Sequence, residues 1–215
     1  TKIPDRLAVI VSHTKQFIFF AVPKTGTHAM RELLRPHKGP DDWEQQILFG
    51  EQRSPIEEIA SIQHGHISAR QIAPYLDKAV WQDYFKFAII RNPFDRFISI
   101  CFFLNRKNPQ FLEAPLRWMK SAIQVPRFRA RVLVKPQYLQ LTDEQGDVIM
   151  DYIGRYETLQ ASVDELCQRL QIESTQLQKR NTSEHLQYRE YYDEELKFAV
   201  ETFYQEDLTR FNYSY

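Results

Sequence analysis

A lysine, two threonines and a glycine follow the first strongly apolar stretch of the chain. Residues 17–22 read FIFFAV, and Pro23-Lys24-Thr25-Gly26-Thr27 comes directly after them. Backbone N–H groups at the start of a helix, together with a lysine and hydroxyl groups, form a site for a phosphate-like anion. The alternative interpretation is an ordinary turn between a strand and a helix, because Pro and Gly occur in turns of many kinds.

This loop differs from the phosphate loop of nucleoside triphosphatases, G-x-x-x-x-G-K-[ST]. Lys24 precedes Gly26, and the loop is shorter. The loop therefore predicts an anion at the start of a helix, without indicating Mg²⁺-bound ATP.

A second candidate for anion binding follows the apolar run YFKFAII at residues 84–90. Arg91 comes directly after this run, and Ser99 lies two turns into the helix expected next. Ligands of open α/β sheets bind outside the carboxyl ends of the strands, so Arg91 and Lys24 are candidates to hold two separate phosphate groups of one nucleotide. An ion pair between Arg91 and Asp95 at the start of the helix is the competing interpretation.

The tripeptide His64-Gly65-His66 has three interpretations: a metal-binding pair, a packed histidine, or a general base. A zinc site needs further ligands at motif spacing, and the sequence offers none, so no metal is predicted. An unperturbed histidine titrates near neutral pH and can therefore take a proton from a hydroxyl as its oxygen attacks.

Together these motifs resemble the P-loop-like sulfotransferases that use 3′-phosphoadenosine-5′-phosphosulfate (PAPS) as donor and release 3′-phosphoadenosine-5′-phosphate (PAP). PKTGT is similar to the family's 5′-phosphosulfate loop, and RNPFDRFIS to its 3′-phosphate motif. HGHIS followed by RNPFDR is similar in order and spacing to the heparan sulfate 2-O-sulfotransferase branch of the carbohydrate sulfotransferases. KRNTSE at residues 179–184 resembles, more loosely, the loop over the nucleotide.

The resemblance implies a role for each motif. His66 and Lys24 are the implied catalytic residues, with His66 as general base. His64 either orients the acceptor or packs beneath it. The implied donor-binding residues are Lys24, Thr25, Gly26, Thr27, His28, Arg91, Ser99, Thr182 and Ser183, and no metal takes part. His28 and Ala29 stand where the family usually carries Thr or Ser. Hydroxyl donors are therefore lost there, and the His28 imidazole either replaces one or packs away from the donor.

Composition sets the broader expectations. The 215 residues, 43% apolar and 13% aromatic, predict a single globular domain over residues 1–215. Lys and Arg equal Asp and Glu at 28 each, so no net charge attracts nucleic acid. No apolar run is long enough to span a membrane, and no signal peptide is recognised. Cys101 and Cys167 indicate buried free thiols of a reducing compartment. We therefore expect a cytoplasmic protein; the alternative is a lumenal catalytic domain trimmed of a membrane anchor.

The pattern of apolar residues predicts strands that alternate with helices. The expected strands are residues 7–11, 17–22, 84–90 and 148–157. The expected helices follow the loop and stop before Pro36, begin at Pro93 with Asn92 as cap, begin after Ser68 as cap, and cover residues 159–170 and 191–208. This alternation predicts an α/β fold with three layers, a parallel sheet flanked by helices, like that of P-loop NTPases.

The acceptor is suggested by an uneven distribution of charge. Basic residues are concentrated in residues 105–135, whereas acids outnumber them in residues 136–215. One interpretation is that Arg127, Arg129 and Arg131 receive an anionic glycan while the rings of Trp118 and Phe128 stack on sugars. The other is an exposed helix surface whose charges pair with the acidic half.

The predicted function is transfer of a sulfuryl group from PAPS to a hydroxyl of an acceptor, with a carbohydrate as the expected acceptor. A nucleotide- or glycan-binding module without catalysis and a P-loop kinase are the alternatives. The sequence does not indicate an oligomeric state.

Overall fold

The computed structural model describes residues 9–45, 54–177 and 187–215. Its strands are β1 (Ile10–Ser12), β2 (Phe17–Phe20), β3 (Trp43–Glu44), β4 (Phe85–Ile90) and β5 (Tyr152–Arg155). Its helices are α1 (Thr27–Leu34), α2 (Glu57–Ala60), α3 (Ala69–Ile72), α4 (Lys78–Asp83), α5 (Pro93–Asn105), α6 (Pro109–Glu113), α7 (Pro115–Gln124), α8 (Pro126–Arg129), α9 (Tyr138–Leu141), α10 (Leu159–Leu170), α11 (Glu194–Phe203) and α12 (Gln205–Arg210). Short 3₁₀ helices cover Arg35–His37, Ala73–Tyr75, Tyr156–Thr158 and Tyr188–Tyr191.

Within the described residues the strands form one five-stranded sheet in the order β3-β1-β2-β4-β5. β2, β4 and β5 run parallel, whereas β1 is antiparallel to both β2 and β3. The α/β class is confirmed, and the sheet is mixed instead of wholly parallel as expected. The reason is the connection at residues 13–16, because parallel neighbours need a crossover of a dozen residues or more, whereas four residues close only a hairpin.

The described chain divides into two compact units. The first contains residues 9–45, 54–90 and 139–177, and the second contains residues 91–138 and 187–215. The first unit holds the whole sheet, and α1 and α10 bury one of its faces through Phe19, Phe87, Met30, Leu33, Val163 and Leu166. The second unit is helical, and α5, α7 and α11 share a core built from Phe97, Cys101, Met119, Leu196 and Val200.

Several local expectations are confirmed. Asn92 caps α5 by accepting a hydrogen bond from the N–H of Phe94 at 3.0 Å, with Pro93 at the first helical position. Ser68 and Gln71 form a capping box at the start of α3. α10 has the bounds expected for it, and Cys101 and Cys167 are both buried free thiols.

Several elements are shorter than expected, and β2 ends at Phe20 instead of residue 22. The strand expected over residues 148–157 is regular only at Tyr152–Arg155, because residues 143–147 form a turn that pairs Thr142 with Val148 in an isolated bridge. The helix expected over residues 191–208 is divided into α11 and α12 at Tyr204. The buried Tyr204 hydroxyl donates to the carbonyl of Val134 at 2.6 Å, which fixes this break to the core of the second unit.

The hairpin of β1 and β2 is held by Asp42. Its carboxylate accepts hydrogen bonds from Ser12 Oγ at 2.7 Å and from the backbone N–H of His13, Thr14 and Gly39 at 2.6–3.0 Å. Burial alone would raise the pKa of Asp42, but these hydrogen bonds outweigh burial and hold its pKa below the ordinary value. The ionised carboxylate therefore stabilises the fold at neutral pH.

Replacing Asp42 by Asn is expected to lower the free energy of unfolding at pH 7 by about 2–3 kcal/mol, because an amide cannot accept the same set of hydrogen bonds. Since the pKa is lower in the folded state, the contribution of Asp42 is present above its unfolded pKa and is lost as the pH falls through the folded pKa. Urea denaturation from pH 7 downward should show the two proteins converging below about pH 4. The exposed neighbour Asp41→Asn is the control; a constant gap at all pH values contradicts the prediction.

Candidate functional site

The loop after β2 has an unusual backbone. Lys24 has φ 65° and Gly26 has φ 82°, both in the left-handed region. The Thr25 hydroxyl donates to the carbonyl of Val22 at 2.9 Å, and α1 begins at Thr27. A backbone that alternates in this way before a helix turns successive N–H groups towards one point, which is the construction of an anion site.

A side chain at position 26 would be crowded by its neighbours as well as strained in its backbone conformation. A Cβ atom at this position would lie 3.0 Å from Leu159 Cδ2 and 3.2 Å from Tyr156 Cδ2. Both residues follow β5, which is parallel to β4, so they leave the sheet at its carboxyl edge. The sequence interpretation did not include Tyr156, although its place directly after a core strand was a signal that could have identified it.

His66 lies in the same unit and is 5% exposed. Its Nδ1 is 2.6 Å from the carbonyl oxygen of Ala21, just ahead of the loop. A carbonyl can only accept, so in the neutral ring the proton is on Nδ1 and Nε2 carries the lone pair. The packed interpretation of His66 and the general-base interpretation are thus compatible, because one ring nitrogen is anchored and the other has the electronic form of a base. His64, two residues earlier, is half-buried.

Gln140 also belongs to this arrangement. Its Nε2 donates to the carbonyl oxygens of Ala21 at 3.0 Å and Ile67 at 3.4 Å. It was not among the residues expected from the sequence. No local spacing could have identified it, since it is 119 positions from Ala21.

In the second unit, Arg91 begins the segment that follows β4. The competing ion pair forms, with Arg91 Nε 2.7 Å from Asp95 Oδ2. A guanidinium has five N–H donors, so this pair and the binding of an anion are chemically compatible. Ser99 is in α5 and is 1% exposed.

Gln137 fixes the backbone of Arg91 from both sides. Its Oε1 accepts from the Arg91 N–H at 3.0 Å, and its Nε2 donates to the Arg91 carbonyl at 2.9 Å. Asp207 in turn accepts from the N–H groups of Gln137 and Tyr138, each at 2.8 Å. Burial raises the pKa of Asp207, an effect that the nearby Arg96 and these hydrogen bonds oppose. Arg91 is thus carried on a backbone that buried polar groups hold rigidly.

In the basic segment, residues 105–135, one aromatic ring is buried instead of exposed. Phe128 is 6% exposed and packs against Phe97 and Trp118, so the suggestion that its ring stacks on sugars is wrong. Lys120 pairs with Asp193 and Glu195, as the surface interpretation expects.

The three arginines expected to bind substrate have different surroundings. Arg127 and Arg131 are exposed, and Arg129 is half-buried with its guanidinium over the Phe203 ring. Thr182 and Ser183 lie outside the described residues.

The described residues include neither a metal-binding cluster nor a membrane-spanning helix. They contain no group of three or more His, Cys, Asp or Glu side chains arranged to hold a metal ion. No helix in residues 9–45, 54–177 or 187–215 is both long and apolar enough to cross a membrane.

An α/β sheet with an anion-type loop between strand and helix defines a broad class of proteins that bind phosphate-like groups. A model of the sulfotransferase family narrows that class, because it matches residues 8–214. The chain therefore belongs to the sulfotransferase family, and its activity is the transfer of a sulfuryl group. No curated protein and no solved structure gives a significant match.

Proposed function

We propose that the protein transfers the sulfuryl group of PAPS to a hydroxyl of a carbohydrate acceptor, releasing PAP. The observation that carries the proposal is the left-handed backbone at Lys24 and Gly26 in a chain that matches the sulfotransferase family almost from end to end. The heparan sulfate 2-O-sulfotransferase branch is the expected relative.

The donor would be held through its charged groups. We assign its 5′-phosphosulfate to Lys24, Thr25, Gly26, Thr27 and His28 in the first unit. We assign the 3′-phosphate to Arg91 and Ser99, and the loop over the nucleotide to Thr182 and Ser183. Support comes from the backbone of the loop and from the rigid hold of Gln137 on Arg91.

The chemistry assigned to the residues balances without a metal. His66 Nε2 takes the proton of the acceptor hydroxyl while its oxygen forms a bond to sulfur. The bond between sulfur and the bridging oxygen of the 5′-phosphate breaks, and Lys24 neutralises the charge that develops on that phosphate. A sulfuryl group carries less charge than a γ-phosphoryl group, so a lysine and backbone N–H groups can suffice.

The alternatives differ in what they require. A kinase needs ATP and Mg²⁺, and a binding module tolerates the loss of His66. Incubation with ³⁵S-labelled PAPS and a panel of glycans and small alcohols, with and without EDTA, tests all three. Label transfer that survives EDTA supports the proposal, whereas transfer only of a labelled γ-phosphate from ATP with Mg²⁺ supports the kinase.

Arg91→Ala is expected to lower the affinity for PAP about ten-fold or more, because a charge-assisted hydrogen bond to the 3′-phosphate is lost. The affinity for AMP, which has no 3′-phosphate, should change far less. Calorimetry with both ligands measures this difference. Arg169→Ala is a matched control, since Arg169 also forms a pair with a carboxylate four positions away, Glu165. Equal losses for PAP and AMP would show that Arg91 does not bind the 3′-phosphate.

His66→Ala is expected to lower kcat by about 10²–10⁴-fold, the usual contribution of a general base, and to leave PAP affinity nearly unchanged. Steady-state kinetics and calorimetry measure the two quantities. His37→Ala, in the 3₁₀ helix after α1, is the control. A larger loss in His64→Ala would mean that the roles of the two histidines are reversed, and full activity in both variants would place the base elsewhere.

We assign acceptor binding to Arg127, Arg129 and Arg131 of the basic segment. If an anionic glycan binds there, the KM for the acceptor should rise several-fold between about 10 and 150 mM ionic strength, because salt screens the attraction, while kcat changes little. Replacing Arg127, Arg129 and Arg131 by Ser should make the KM for the acceptor much less dependent on salt, without changing the affinity for PAP. Replacing the exposed Lys78, Arg169 and Arg210 removes the same charge and serves as control. A KM that does not change with salt would mean that the basic segment is an ordinary exposed surface that does not bind the acceptor.

A further inference from the structure

The buried side chain of Gln140 connects two segments of the first unit that are distant in sequence. Its Nε2 donates to the carbonyl oxygens of Ala21 and Ile67, and the residue is 8% exposed. The Ala21 carbonyl also accepts the hydrogen bond from His66 Nδ1, and Ile67 is the next residue after His66. Gln140 therefore bonds both to the carbonyl that anchors the imidazole and to the backbone that carries it.

The hydrogen bonds from His66 and Gln140 together satisfy the buried carbonyl oxygen of Ala21. A carbonyl oxygen has two lone pairs, and Ala21 lies just beyond the end of β2, where the strand ladder has stopped. Without the Gln140 amide, the buried carbonyls of Ala21 and Ile67 would each lose a donor, which is unfavourable away from water. Their backbone would then move towards other donors, and the ring of His66 would move with it.

We infer that Gln140 is a positioning residue: it holds the Ala21 carbonyl and the Ile67 backbone in place, and the Ala21 carbonyl in turn sets the tautomer and orientation of the His66 imidazole. The inference rests on the proposed function, in which Nε2 of His66 accepts the acceptor's proton. Its consequence is kinetic, because a displacement of about 1 Å at a reacting group can cost up to about 10²-fold in rate.

The kinetic test is Gln140→Met, which keeps the length and packing of the side chain and removes its donors. We expect kcat to fall about ten-fold while PAP affinity stays within about two-fold, because the anion loop itself is intact. Gln145→Met is the matched control, since Gln145 is an exposed turn residue five positions away. A kcat equal to that of wild type, in a variant with wild-type thermal unfolding, overturns the inference.

A double-mutant cycle separates positioning from general stability. If Gln140 acts through His66, Gln140→Met should cause almost no further loss of kcat in a His66→Ala background. The same fractional loss in both backgrounds would mean that Gln140 acts independently of the histidine, and the inference would fail.

A spectroscopic readout keeps the test independent of activity. In ¹H–¹⁵N NMR spectra of the whole chain, with His66→Ala used for assignment, wild-type His66 should carry its proton on Nδ1. Gln140→Met and Gln140→Glu should show mixed tautomers; the Glu variant has the same length, and its carboxylate cannot donate. Wild-type His66 with its proton on Nε2, or an Nδ1–H tautomer unchanged in the variants, overturns the inference even if one variant fails to fold. An absence of PAPS turnover together with the expected spectra would instead refute the proposed function alone.

Discussion

The parallel pairing of β2, β4 and β5 brings the carboxyl ends of three strands to one edge of the sheet. Strand ends there leave backbone groups without ladder partners, and the chain changes direction at each of them. The anion loop follows β2, Arg91 follows β4, and Tyr156 follows β5. The roles proposed for these residues thus depend on the parallel pairing, because the same residues after antiparallel strands would leave the sheet at opposite edges.

The parts of this arrangement that the sequence predicts are local ones. The cap at Asn92, the capping box at Ser68 and the bounds of α10 depend on interactions within a few residues, and they are confirmed. The proposed anion loop is local too, because its lysine and glycine lie in one short segment between an apolar run and a helix; its left-handed backbone is observed, and anion binding stays a prediction. Composition and periodicity were also sufficient for the α/β class.

The parts that the sequence did not predict depend on side chains reaching distant backbone. Gln137 holds Arg91 and Gln140 holds Ala21, yet neither glutamine stands in a recognisable motif. Phe128 looks like an exposed ring in a basic segment and is part of a core. In each case the missing information is tertiary: which buried carbonyl needs a donor, and which ring fills the space between helices. A residue pattern read along the chain does not contain it.

The left-handed backbone at Lys24 has a consequence for engineering the stability of the protein. A side chain with a Cβ atom pays roughly 1–2 kcal/mol to adopt this conformation, and glycine adopts it without that penalty. Laboratory selection for heat resistance alone would therefore tend to replace Lys24 by glycine and discard the one positive charge within the loop. Under the role proposed for Lys24, ligand binding and thermostability are opposed at this position, so stabilising substitutions should be sought at other positions.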